Sequence, residues 1–291
     1  MSNQAQTLIA IEHFIDRILY NQISNDQILR ELQDLIPAFK IQYSSNVWYS
    51  QHIQIFIRLI SFVESHLQGQ GYDGLDMLLE HQVDTLRNLV HSFHSDIRNQ
   101  HHAFQLQELR NQQRLTEYIE HVLQQKSRSL IVRVDLKYPV PVQDLVNIQI
   151  FDQHMKLLRN RISNGDRCFS NLEGFVWALE QGGHSAGFHC HLMLIYDGHK
   201  HQNDFGLALA VGNYWQEITN GLGTFYTPNE PTTKAQFEEK GTLAIGRIER
   251  ANTQQCQNVI AYIPYFATPE KYDQRLRVKL NSGSRTFGTG Q

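Results

Sequence analysis

Two periodicities divide the chain. In the first part apolar residues recur three and four apart. Leu8, Ile11, Ile15, Ile18 and Leu19 form one such set, which predicts an amphipathic helix. A second set, Ile28, Leu29, Leu32, Leu35 and Ile36, follows the cap candidates Ser24 and Asp26 and is predicted to stop before Pro37. Further helical runs cover roughly 46–67, 73–94 and 104–125. The second part alternates instead. Leu130, Val132, Val134 and Leu136 enclose Arg133, Asp135 and Lys137, which predicts a strand over 129–137. Helices are expected over 144–162, 204–219 and 254–267. Strands are expected over 174–181, 187–196 and 241–249, the first two joined by a turn at Gly182–Ala186. The order β-α-β-β-α-β-α is that of a ferredoxin-like, split βαβ unit. The expectation is an α+β protein: a helical region, then an antiparallel sheet with helices on one face and the other face free for a ligand.

Composition sharpens the division. Only three of the 18 glycines and one of the seven prolines precede Ser127. Residues 1–127 hold nine Lys and Arg against 14 Asp and Glu; residues 128–291 hold 17 against 15. Domains of 1–127 and 128–291 are the simplest account. The helical domain suits scaffolding, oligomerisation or a DNA accessory role. With 41% hydrophobic and 19% charged residues, the chain can bury a core and is not disordered in character. No apolar run approaches the ~20 residues of a bilayer span. The N-terminus lacks the marks of a signal peptide. Three cysteines without C-x-x-C make neither a disulfide framework nor a structural zinc site. A cytoplasmic location is expected. A net charge of −3 argues against coating nucleic acid by charge alone but allows local binding.

The candidate chemistry sits at His189-Cys190-His191. On a strand, residues two apart share a face, so both imidazoles project together while Cys190 turns into the core. Two such histidines can share a divalent metal. In a chain with 15 histidines the pattern is also compatible with ordinary polar-face residues. If 174–181 and 187–196 form a hairpin, Glu180 lies across from the start of the histidine strand. A carboxylate and two imidazoles then form a set suited to Mg²⁺ or Mn²⁺, with positions left for phosphate oxygens. His184 reads as a turn residue that could also approach. His199 and His201 read as surface loop residues, with a second metal site as the alternative. Tyr262 and Tyr265 are three apart on the expected last helix. Either could be a nucleophile holding a phosphotyrosine or an ordinary packing residue.

These features resemble the HUH-type rolling-circle replication endonucleases and, more narrowly, the YagK/YfjJ-type replication proteins of filamentous phages and integrated elements. The resemblance rests on Ser129–Pro139, Gly187-Phe-His-Cys-His-Leu192, Asn213–Gly223, Tyr265-Phe-Ala-Thr268 and Arg285-Thr-Phe-Gly288, in the family's order across about 128–291. It implies that His189 and His191 bind the metal, with Glu180 completing the site. It implies a nucleophile in a Tyr-x-x-Lys motif. Tyr265 matches the tyrosine, with Tyr262 as second candidate, but Thr268 stands where the lysine belongs; Lys271 is the possible replacement. The implied activity is nicking and joining of single-stranded or hairpin origin DNA, with host helicase and polymerase as partners. No G-x-x-x-x-G-K-[ST] stretch supplies a fused helicase motor.

A basic track is expected from Arg133, Lys137, Arg247, Arg250, Lys271, Arg275, Arg277, Lys279 and Arg285, giving salt-dependent phosphate contacts. Tyr214, Trp215, Phe225 and Tyr226 could stack on unpaired bases or belong to the core. Residues 221–235 read as a substrate-facing loop. Rival readings are an inactive DNA binder on the same fold and a metal-dependent phosphodiesterase that uses water.

Overall fold

The computed structural model describes residues 3–67, 69, 71–182 and 187–290; His184 lies outside them. Its elements are α1 (Gln4–Leu19), α2 (Asn25–Gln42), β1 (Trp48–Tyr49), α3 (Gln51–Leu67), α4 (Glu80–Ser92), α5 (His94–Gln125), β2 (Arg128–Lys137), α6 (Ile148–Ser163), β3 (Leu172–Gln181), β4 (Phe188–Asp197), α7 (Asp204–Ile218), β5 (Thr224–Tyr226), α8 (Pro231–Glu239), β6 (Gly246–Glu249), α9 (Thr253–Ala261), β7 (Val278–Lys279) and β8 (Phe287–Gly290). The chain is α+β, with a helical N-terminal region and an antiparallel sheet. None of the described helices is long and apolar enough to cross a membrane.

Two compact units form. One holds residues 1–104, 144–148 and 276–284; the other holds 105–143, 149–275 and 285–291. The compositional change at 127/128 thus falls inside the second unit, and α5 begins in one unit and continues in the other. The reason is visible in α5, whose second half (Leu115, Ile119, Val122, Leu123) packs into the core of the sheet.

In the first unit the apolar stripes meet as patterned. Asn3 caps α1 by accepting from the Gln6 amide, and Ser24 with Gln27 forms a capping box on α2. Helix α2 does not stop before Pro37 but runs through it to Gln42. The proline removes one backbone donor, while Ile36 and Phe39 on either side are buried and hold the helix in place. Phe56 stands edge-on to both Phe14 and Phe39. The late segment 276–284 belongs to this unit. Its strand β7 pairs with β1, Trp48 opposite Lys279 and Tyr49 opposite Val278.

The second unit is built on one sheet in the order β5-β2-β4-β3-β8, with β6 also pairing β2. All pairings are antiparallel. One face carries Val132, Val134, Leu192, Leu194 and Trp177. Trp215 of α7 donates from its indole to the Lys137 carbonyl at 3.2 Å, and Phe151 of α6 stacks on Phe188. The other face was expected to be open and is not. Ile131, Val176, Met193 and Ile195 pack there against α5, and against Val259, Ile263 and Phe266 from α9 and the residues after it. Strand β8, unforeseen from the pattern, needs its glycines: a Cβ at Gly288 would meet the Trp177 ring at 2.6 Å and one at Gly290 the Phe175 ring at 2.5 Å.

Strands β6 and β5 share one edge of β2, pairing with 128–131 and 135–137 respectively. Side chains bridge the gap between them. The Arg133 amide donates to Asn229 Oδ1 at 2.8 Å, Thr227 Oγ1 donates to the Arg133 carbonyl at 2.7 Å, and Asn229 Nδ2 donates to the Ile131 carbonyl at 3.0 Å. The stretch expected to be a loop over 221–235 therefore contains β5, this bridge and the start of α8.

Candidate metal and tyrosine site

Register assembles the site. Asp135 pairs with His191, which also pairs with Ala178, and Glu180 pairs with His189. Paired residues of an antiparallel sheet share a face. Arg133, Asp135, Glu180, His189 and His191 therefore sit at one end of the face whose remainder is apolar. Cys190, between the histidines, is fully buried on the opposite face.

The two histidines turn the same nitrogen inward. His189 Nε2 lies 3.3 Å and His191 Nε2 3.1 Å from Glu180 Oε2. The outer nitrogens are occupied. His189 Nδ1 donates to the Gly187 carbonyl at 3.2 Å, and His191 Nδ1 to Asp135 Oδ1 at 2.8 Å. With each Nδ1 hydrogen held outward, each Nε2 faces Glu180: protonated it donates to the carboxylate, and deprotonated it offers a lone pair to a metal, the outer arrangement that orients metal-binding histidines. The three ligand atoms lie within 4.8 Å of one another and all three residues are buried. Two imidazoles and a carboxylate fit a divalent metal.

Electrostatics follow the geometry. Burial would raise the Glu180 carboxyl, but the hydrogen bonds of His189 and His191 and the charges of His191 and Lys271 hold it well below the usual carboxylate range. Burial acts the same way on Asp135 and is likewise outweighed by His191 and Arg133. The His191 imidazole is disfavoured as a cation by burial, yet Asp135 and Glu180 push its pKa up.

Tyr265 reaches this cluster. Its hydroxyl is 3.0 Å from His191 Nδ1 and donates to Asp135 Oδ2 at 3.2 Å. The Arg133 guanidinium lies 3.7 Å over the Tyr265 ring while its NH2 group holds Asp135 at 2.7 Å. Lys271 Nζ is 4.5 Å from the same ring and donates to Glu180 Oε1 at 2.6 Å. The tyrosines are not on one regular helix, as the spacing suggested. Helix α9 ends at Ala261, and Ile263–Tyr265 is a 3-10 turn. Pro264 has no amide hydrogen to continue the α-helical ladder. The two rings stack at 5.2 Å and 11°, but the Tyr262 hydroxyl is buried and meets no hydrogen-bond partner among the described residues. Burial raises both phenols; Asp135 raises Tyr265 further and the Arg133 charge opposes the rise in each.

Two further residues belong to the site, Asp135 and Glu108. Asp135 was legible as the outward position between Val134 and Leu136, but its role needed β2 to be paired with β4. Glu108 had no local signal, because it comes from α5. Burial raises its carboxyl to about 7, against hydrogen bonds from Asn111 and the Thr268 amide, with Glu180 and Lys271 close enough to act on it by charge.

The expected basic track divides. Arg133 is a buried member of the site rather than a surface cation. Lys137 is half-buried on β2, opposite Thr224. Arg247 is exposed beside Glu249, and Arg250 is exposed with a bond to the Gln124 carbonyl at 3.0 Å. Arg275 lies over the Tyr272 ring, and Arg285 is exposed. Arg277, expected in the basic track, is instead 1% exposed and ion-paired with the buried Glu12 of the helical unit, so it offers nothing to a phosphate. Lys279 sits over Trp48 in the same unit. Tyr214 and Trp215 are core. Phe225 packs against Gly212, leaving Tyr226, 45% exposed. His199 and His201 go separately to Ser127 and Asn171. The other metal-capable cluster among the described residues is Glu12, Asp16 and His52 in the helical unit.

A model of the YagK/YfjJ C-terminal domain matches residues 93–290. The match begins at the start of α5, so that helix is part of the matched domain along with the sheet. No curated protein and no solved structure matches the chain.

Proposed function

The chain belongs to the YagK/YfjJ C-terminal domain family, and from that membership and the geometry around Tyr265 we propose that it is a metal-dependent, single-strand DNA nicking and joining enzyme of the HUH, rolling-circle type. The strand order β6/β5-β2-β4-β3, read along a β-α-β-β-α-β chain, supports a ferredoxin-like sheet beneath that chemistry. Mg²⁺ or Mn²⁺ held by His189, His191 and Glu180 would supply Lewis acidity toward the scissile phosphate.

The chain's own groups do the rest. The Tyr265 oxygen bonds to phosphorus as the phosphorus–O3′ bond breaks, leaving the 5′ phosphate on the tyrosine. Asp135 Oδ2 takes the phenolic proton, and the departing 3′ oxygen takes one from solvent. Arg133 and Lys271, both over the Tyr265 ring, offset the negative charge that gathers on the phenolate. Lys271 occupies the place that Thr268 left in question. Rejoining reverses each step. The observation that carries this reading is the Tyr265 hydroxyl, 3.0 Å from a histidine of the metal-capable cluster and 3.2 Å from Asp135.

The test is a denaturing gel of the protein incubated with Mn²⁺ and single-stranded DNA from its own genetic neighbourhood. The expected result is a protein–DNA adduct abolished by EDTA and by Tyr265→Phe. An adduct lost in Tyr262→Phe instead would transfer the role to that residue. Cleavage without an adduct would indicate a hydrolase using water, and binding without cleavage an inactive binder.

A further inference from the structure

We propose that the hollow beside Tyr262 receives one unpaired nucleobase of the DNA strand; this rests on the strand-nicking reading above. Pro228, Phe237, Thr242, Ala244, Ile245 and Tyr262 enclose a cavity of about 120 Å³. Pockets for drug-sized ligands run to ~300–1,000 Å³, so this one suits a single ring system and not a whole nucleotide. Its wall is apolar, with an aromatic ring at Phe237 and another at Tyr262. Bases stack on such rings whatever their identity.

One of the residues of that wall, Tyr262, carries an unsatisfied polar group behind its ring. The Tyr262 hydroxyl is shut off from water and has no hydrogen-bond partner among the described residues. A buried hydroxyl left unpaired costs ~1–3 kcal/mol, and such a group calls for an explanation. A base whose entry exposes this hydroxyl supplies the missing partner through its hydrogen-bonding edge. The location agrees. Tyr262 stacks on Tyr265 at 5.2 Å, so the hollow is one ring away from the hydroxyl that attacks phosphorus. An exposed cation, Lys240, stands at the end of α8, the helix that supplies Phe237. It provides charge for a phosphate beside an inserted base.

The probe is a labelled single-stranded oligonucleotide from the chain's own genetic neighbourhood. It is prepared as a series with one abasic residue at each successive position. Binding is read by fluorescence anisotropy and adduct formation by gel, both in Mn²⁺. The expected result for the wild type is one position at which loss of the base weakens binding roughly tenfold. Tyr262→Phe, which keeps the ring and drops the hydroxyl, should shrink that penalty, and Ala244→Phe, which fills the hollow, should abolish it. An unchanged melting midpoint for Tyr262→Phe guards against misfolding. A flat abasic profile with normal adduct formation would overturn the pocket and leave the nicking reading standing. The same profile in wild type and both variants would overturn it too. A position-specific penalty without any adduct would support the pocket and overturn the nicking chemistry. Absence of DNA binding would overturn both.

Discussion

Asp135 and His191 are register partners on adjacent strands, and the Asp135 carboxylate accepts the His191 Nδ1 proton at 2.8 Å. The carboxylate thereby decides which imidazole nitrogen faces Glu180. Asp135→Asn keeps the shape and loses the charge. Its expected effect is a ~10–100-fold loss of Mn²⁺ affinity, measured by titration calorimetry on the full chain. His191→Ala should lose binding outright. Wild-type affinity in Asp135→Asn would reduce Asp135 to a bystander in metal binding.

Lys271 competes with a metal for Glu180 and also stands over Tyr265. The two roles predict opposite responses to Lys271→Met. Mn²⁺ should bind at least as tightly, because a neighbouring cation is gone, while adduct formation should fall roughly 100-fold. Parallel loss of both would mean that Lys271 merely holds the site together.

Glu108 makes a prediction about pH. Its carboxyl is raised to about 7 from the ordinary 4.5. The folded chain therefore holds this proton more tightly than the unfolded chain does. The stability this provides is complete below pH 4.5 and is lost as pH rises toward 7. Glu108→Gln removes the dependence. Relative to wild type it should gain on the order of 3 kcal/mol between pH 4 and pH 8. Urea melts of both proteins at the two pH values measure this, and equal slopes for the two proteins would refute it.

In the helical unit, Arg277 and Glu12 are paired and almost wholly buried. Removing one member strands the other charge, so Arg277→Met or Glu12→Gln alone should cost ~3–5 kcal/mol. The double variant should cost less than the sum of the two. Chemical denaturation checks this, and additive losses would mean that the pair is not coupled.

These positions show what a linear reading can reach. Period-two alternation located β2, and two apolar stretches around a Gly-rich turn located β3 and β4; the shared face of His189 and His191 followed because side-chain direction in a strand is a local property. Glu180 was within reach because a hairpin turns the chain back on itself. Arg277 was misread because charge alone does not distinguish a solvated cation from one paired across 265 residues. Helix α5 was assigned to the N-terminal half because its composition is that of the helices before it, although Leu115, Ile119 and Val122 cover the sheet. Pro264 stood in plain view, yet the apolar spacing around it concealed the break that lets Tyr265 turn toward the cluster while Tyr262 faces elsewhere.

The side-chain bridge over Ile131–Arg133 has a consequence beyond the site. A long outer strand with bare amides and carbonyls is a template for another molecule's strand. On β2 that rim is occupied from end to end, by β6, then Asn229 and Thr227, then β5. The opposite rim, β3, is covered over Phe175–Ala178 by β8. A sheet whose inner strands are rich in apolar residues is thus fenced against self-association. Asn229, fully buried, is a fence post whose loss would show first as aggregation during refolding.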